Sequence, residues 1–194
     1  GQRLSGSEGA KKAVLWTKKI MEDYGFDSVY LQPVMVPHWE RDKTRQEAYF
    51  LNSNGKKTSM SILAAGGSVS TPKEGLVANV VEVKSLEEVD QLGEEGVKGK
   101  VVFYNKAFNP RFINQGNSYG STGFQRRSGA IKAAEYGAVA SVFRSLSSSD
   151  DDVPHTGSMS YKGAVDSIPH AGLGVVSAKK LSAELKIDKN LKLF

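Results

Sequence analysis

The 194-residue sequence contains no cysteine and only three histidines, His38, His155 and His170. The first absence excludes disulfide staples and thiolate metal sites, and it leaves the redox compartment open. The second leaves few nitrogen ligands for any metal centre. Long apolar runs are missing too, so nothing reads as the span of roughly 20 residues that a membrane helix needs. Neither a G-x-G-x-x-G nor a Walker pattern occurs, and no Gly-x-Ser-x-Gly elbow follows a strand to raise a serine nucleophile. Charge of one sign is not concentrated. Against 21 Asp and Glu stand 26 Lys and Arg, for a net +5, but the basic residues are spread among the acidic ones without a nucleic-acid motif, which argues against a nucleic-acid partner. What is present is an ordinary globular composition, 39% hydrophobic and 24% charged, sufficient for one domain with an N-terminal extension.

The order of elements follows from hydrophobic spacing and punctuation. Ser5 with Glu8 fits a capping box, and Ala10, Ala13, Val14, Thr17, Ile20 and Met21 keep one helix face until Gly25. Residues 29–36 have the β-branched, apolar character of a strand that Pro33 restricts to an edge or a bulge, and 37–46 form a polar connection. Asn54-Gly55 predicts a hairpin between 47–52 and 57–63. A strand over 76–83 leads to a short helix capped by Ser85 and Glu88. Residues 100–104 form a buried strand, a long polar loop runs to about Gly123, and a helix through Ala130, Ala133 and Ala134 stops at Gly137. The strand at 138–143 should then lie parallel to 100–104 through a right-handed crossover. A Ser/Asp loop at 147–152, a strand around 174–176, a helix capped by Ser177 and an alternating tail at Leu191 and Leu193 complete an α+β pattern.

Candidate chemistry is sparse. His155, in Pro154-His-Thr-Gly157, reads as an exposed loop imidazole, suited either to a substrate contact or to bonding its own turn. His170 reads as structural. His38 beside Trp39 is either a junction contact or a surface pair. Asp150-Asp151-Asp152 could offer oxygens to calcium but lacks the alternating ligand pattern, so a solvated loop is the plainer reading. Gly66-Gly67-Ser68 is either a backbone anion nest or a turn. Arg126 and Arg127 are either a carboxylate clamp or a solvated pair. The loop carrying Ser118 and Tyr119 either reaches over a neighbouring site or is a surface connection.

Arg3-Leu-Ser-Gly-Ser7 before the first helix and Gln32-Pro-Val-Met-Val-Pro-His-Trp39 after it resemble the opening of the carboxypeptidase Q (plasma glutamate carboxypeptidase) group of dinuclear zinc exopeptidases. Gly66-Gly67-Ser68-Val69, Gly99-Lys-Val-Val-Phe-Tyr-Asn105, Gly137-Ala138-Val139, Arg144-Ser145 and Pro154-His-Thr-Gly157 are similar to that group in the same order. The resemblance implies a peptidase-domain segment at 1–36 and an inserted protease-associated domain at 37–194, an open β-barrel or sandwich with flanking helices. It implies a non-catalytic fragment whose inserted domain walls the substrate cleft and admits small peptides, with His155, Thr156, Tyr119 and Ser118 as cleft candidates. The alternative is an independent peptide- or protein-binding module. Two zinc ions would be held by ligands after Phe194, since three scattered histidines cannot grip them; this chain is expected to bind no catalytic metal and to be inactive alone. The implied partner is the peptidase domain of the same polypeptide, in an extracytoplasmic compartment. The apolar face of residues 1–36 would then cover the inserted domain, meet a second copy in a homodimer, or leave the segment partly mobile.

Overall fold

The computed structural model describes residues 3–42, 46–163 and 166–194. The chain separates into two compact units, Gly1–Asp42 and Lys43–Phe194. In the first, helix α1 (Glu8–Asp23) begins one serine later than the capping box predicts: Ser7, in extended backbone, accepts from the Ala10 amide through its Oγ at 3.2 Å. Ser7 holds the position from which a hydroxyl reaches the third helical amide, and Glu8 becomes the first-turn acid that suits the helix dipole. Gly25, at φ +76°, takes the left-handed conformation that ends the helix. None of α1 is buried, and Trp16 is 65% exposed. The strand predicted over 29–36 does not form: these residues join no ladder. Apolar β-branched character makes a strand only where a neighbour accepts its hydrogen bonds, and Pro33 has no donor to offer. The polar connection predicted over 37–46 includes residues 43–45, which lie outside the described residues.

The second unit is built on eight strands: β1 (Ala48–Leu51), β2 (Lys57–Met60), β3 (Ile62–Ala64), β4 (Ala78–Val83), β5 (Val101–Tyr104), β6 (Ala140–Arg144), β7 (His170–Leu173) and β8 (Lys192–Leu193). Their order is β2-β1-β8-β4-β5-β6-β7-β3. The fold is thus mixed α/β, with β4, β5, β6 and β7 parallel and antiparallel pairs at either side. The hairpin at Asn54-Gly55 forms with Gly55 at φ +75°. The two outermost strands, β2 and β3, are separated along the chain by Ser61 alone, so the sheet curls until its ends approach each other.

The helices follow the parallel strands. Helix α2 (Leu86–Val97), capped by Ser85 as predicted, links β4 to β5. The predicted loop up to Gly123 holds a helix, α3 (Gln115–Thr122), capped by Asn114, whose side chain accepts from the Gly116 amide at 2.8 Å. Gly116 and Gly120 lower its intrinsic propensity and hide it from a sequence reading. α4 (Phe124–Arg127) and α5 (Gly129–Glu135) complete the crossover to β6. The strand expected around 174–176 is displaced. β7 ends at Leu173, and Val175 opens helix α6 (Val175–Ile187), because Val175, Ala178, Leu181 and Leu185 form a buried helical stripe that outweighs the β-preference of the Val-Val pair. Ser177 is therefore not the cap but a buried residue of the first turn.

Alternation along the central strands fills two layers. Val101, Phe103 and Val142 face one cluster with Phe50, Leu181 and Leu185; Val102, Tyr104 and Phe143 face another with Val89 of α2 and Ala130 and Ala133 of α5. β5 is consequently buried on both faces, as strands inside a parallel sheet are. Complete burial of a Phe such as Phe103 is worth roughly 1.5–3 kcal/mol. Gly129 lets α5 approach: a Cβ there would stand 2.8 Å from the Tyr104 ring, whose hydroxyl donates to the Gly129 carbonyl at 2.8 Å.

Candidate functional site

All four parallel strands point their carboxyl ends at the same edge, the place where open parallel sheets leave a crevice between diverging loops. Two buried polar side chains fix the loop that follows β5. Gln125 accepts from the Lys106 amide at 2.8 Å and donates to its carbonyl at 2.9 Å, while Ser118 Oγ accepts from the Asn109 amide at 3.1 Å and donates to its carbonyl at 3.0 Å. Ser118 is 1% exposed and is spent on this anchoring. Its neighbour Tyr119 is exposed and stands edge-on to Phe108, with ring centroids 6.5 Å apart.

The loop that follows β6 is anchored as firmly. Buried Ser145 accepts from the His155 amide at 2.7 Å and donates to the Leu173 carbonyl at 2.6 Å. Asp152 caps α6 from a distance in sequence: its Oδ1 accepts from the Ser177 amide at 2.7 Å and its Oδ2 from the Ser177 hydroxyl at 2.9 Å. Asp150 instead pairs with Lys179 at 2.5 Å, and that hydrogen bond holds its carboxyl below the usual carboxylate range. Asp151 accepts from the Val153 amide at 3.0 Å, so the acidic run is divided among an ion pair, a local loop bond and a cap, and among the described residues no group of three or more His, Cys, Asp or Glu side chains could hold a metal ion.

Between these loops the structure brings together Tyr119, Arg126 and the Pro-His-Thr-Gly loop. Arg126 donates to the Tyr119 hydroxyl at 2.5 Å and lies against Gly157, where a Cβ would come within 2.7 Å of Nη1. Thr156 packs its methyl over Gly172 on β7. His155 is exposed. Arg127 turns away over Gly123, so the two arginines do not form a joint clamp. Gly66 donates to the Gly157 carbonyl at 2.8 Å and accepts from Met159 at 2.8 Å, and Gly67, at φ +94°, leaves no room for a Cβ beside the Met159 carbonyl. That stretch is a turn docked on the 157–159 backbone.

His170 supports this corner from below. Its Nε2 lies 3.1 Å from the Arg126 carbonyl, which can only accept, so Nε2 carries the proton and Nδ1 accepts from Ser141 Oγ at 2.7 Å. Full burial lowers its pKa to about 4, keeping the ring neutral. With both nitrogens engaged it is not a metal ligand. His38, in the first unit, pairs with Glu40 at 3.1 Å and crowds Gly6, so the two halves of the opening motif meet there.

One part of the edge was legible in the sequence only as the dipeptide Arg144-Ser145. A cleft of about 280 Å³ opens between the two anchored loops, lined by Asn109, Gln115, Arg144, Ser149, Asp150 and Lys179. Arg144 ends β6 and is half-buried; its Nη1 reaches Asn105 only at 3.4 Å, and its buried Nε has no hydrogen-bond partner. Burial lowers its pKa from the ordinary guanidinium value. The signal that finds it is an arginine at the carboxyl end of a parallel strand followed by a serine-rich loop.

The fold that carries these residues is also found in solved peptidase structures. A Peptidase M28 precursor from Shewanella amazonensis superimposes on all of this chain with a TM-score of 0.89 and 35% identity, the chain covering 42% of that structure. A zinc aminopeptidase from Bacillus subtilis matches over the whole chain with a TM-score of 0.61 at 19% identity, which establishes a common fold, the chain covering 38% of that structure. In sequence the chain is 42% identical to carboxypeptidase Q of Xenopus laevis and 37% identical to that of Homo sapiens, each over 182 residues. The resemblance to the carboxypeptidase Q group therefore holds along 94% of the chain, which spans about a third of the length of these relatives, 36%. No family model matches the sequence.

Proposed function

We propose that this chain is the non-catalytic part of an extracytoplasmic dinuclear zinc exopeptidase: a protease-associated domain, preceded by the first helix of the catalytic domain, that walls the substrate cleft and admits short peptides. The observation that carries this reading is the match of 94% of the chain to only 36% of carboxypeptidase Q, combined with a donor set that does not suit a metal pair. His170 is buried and neutral and His38 is paired with Glu40, leaving His155 alone on its loop. The metals and the hydrolytic step belong, on this reading, to a domain outside these residues. The curled sheet, whose ends meet across Ser61, fits the open barrel of protease-associated domains. The edge carrying Tyr119, Arg126 and residues 145–157 faces the cleft, where anchored loops exclude long substrates by shape.

Assays of the chain with aminoacyl and dipeptide substrates, with zinc or manganese added, are expected to show no turnover. Activity abolished by a chelator would refute the reading. In a polypeptide that also carries the catalytic domain, shortening the 147–151 loop should raise kcat/KM for longer peptides relative to dipeptides. A second reading, an independent binding module, draws support from the second unit's self-contained core, since both buried clusters lie within residues 48–193. Micromolar affinity of the chain alone for a peptide would favour the module; the wall reading expects weak binding, because half a cleft lacks the enclosing surface.

A further inference from the structure

The Arg144 cleft has features that a packing defect lacks. A half-buried guanidinium normally finds a carboxylate with which its planar fork makes two hydrogen bonds, because leaving a desolvated cation under-satisfied is costly. Arg144 has one long bond to Asn105 and a buried Nε without a partner, and Asp150, the acid whose charge acts on it, is hydrogen-bonded to Lys179. Both walls are fixed in advance, one through Gln125 and Ser118, the other through Ser145 and Asp152, so a ligand would meet a formed site. Ser149 and Gln115 line the same space. Its volume sits just below the range of about 300–1,000 Å³ typical of small-molecule pockets.

We propose that this cleft is a carboxylate-binding site for a small monoanion, with Arg144 as the bidentate partner and Lys179 as the second cation. The charge count selects the ligand. Arg144 and Lys179 contribute two positive charges and Asp150 one negative, so a carboxylate neutralises the cleft while a phosphate dianion overcompensates and meets Asp150. The proposal stands whether or not the chain walls a peptide cleft, and it is tested on this chain alone.

The test titrates N-acetyl-diglycine, its C-terminal amide, acetate and inorganic phosphate into the isotope-labelled chain, following amide shifts of residues 107–115 and 144–150 by NMR at pH 7.5. The expected result is saturable binding of N-acetyl-diglycine in the millimolar range, none by the amide, and phosphate no tighter than acetate. Acetate binding as well as the peptide identifies a general carboxylate pocket; a tighter peptide identifies a peptide C-terminus as the source; both support the site. Arg144→Gln should weaken binding by about tenfold or more, and Arg144→Lys should recover part of it, as loss of a charge-assisted bond predicts. Lys179→Met, on an exposed helix face, should weaken it less and guards against a misfolded Arg144 variant. Equal shifts from acid and amide, tighter phosphate, or an unchanged affinity in folded Arg144→Gln would overturn the proposal.

Discussion

His170 shows how a single side chain couples the sheet to the edge above it. The ring is fully buried, stacks at a tilt 4.8 Å from Phe143, and ties β7 to the Arg126 backbone. Its pKa falls from the ordinary 6.5 to about 4 because burial penalises the cation. The unfolded chain therefore binds a proton between those values that the folded chain refuses. Stability from this group is complete above pH 6.5 and is lost as pH falls toward 4, by roughly 3 kcal/mol in all. Urea denaturation from pH 7.5 to 4 should show this slope, and His170→Asn should remove one proton's worth of it. An identical slope in the variant would show that His170 does not titrate in this range. The sequence marked His170 as structural from its place ahead of a strand, but its tautomer and its hold on Arg126 depend on two partners distant in the chain, Ser141 and Arg126.

Helix α6 is an element whose beginning is set by residues far away. Gly174 offers no side-chain cap; Asp152 supplies it, seated where any Cβ on Gly174 would collide with it. Asp152→Ala should destabilise the chain by about 1–2 kcal/mol, the value of a lost cap, while Asp152→Asn retains an acceptor and should cost less; chemical denaturation measures both. An Ala variant as stable as the parent would mean the cap contributes nothing. Local signals sufficed where the partner was near: the Asn54-Gly55 hairpin, the Ser85 cap and the parallel pairing of β5 with β6 were all legible. They failed where a partner was remote or missing. Residues 29–36 had strand composition and no neighbouring ladder, Val175-Val176 yielded to a helical stripe, and glycines masked α3. The Pro-His-Thr-Gly loop was legible, whereas the Arg144 cleft was not, because it exists only once two loops are anchored across three strands.

For the molecule as a whole, the division of the chain makes a test of autonomy possible. Both buried clusters draw solely on residues 48–193, and α1 buries none of its own side chains. Deleting residues 1–42 should leave a cooperatively folding protein whose Tm lies within about 3 °C of the parent's, equivalent to roughly 1 kcal/mol; calorimetry of the two chains decides it. A molten or unfolded product would show that the first unit is required for the second to fold. No helix among the described residues is long and apolar enough to cross a membrane. The single-residue link at Ser61 carries a consequence for synthesis. β2 finds β1 at once through its hairpin, but β3 has to wait for β7, which leaves the ribosome much later. For that interval an apolar Ile62-Leu63-Ala64 edge stands open on the nascent chain, a natural landing place for chaperones and the point where co-translational misassembly would begin.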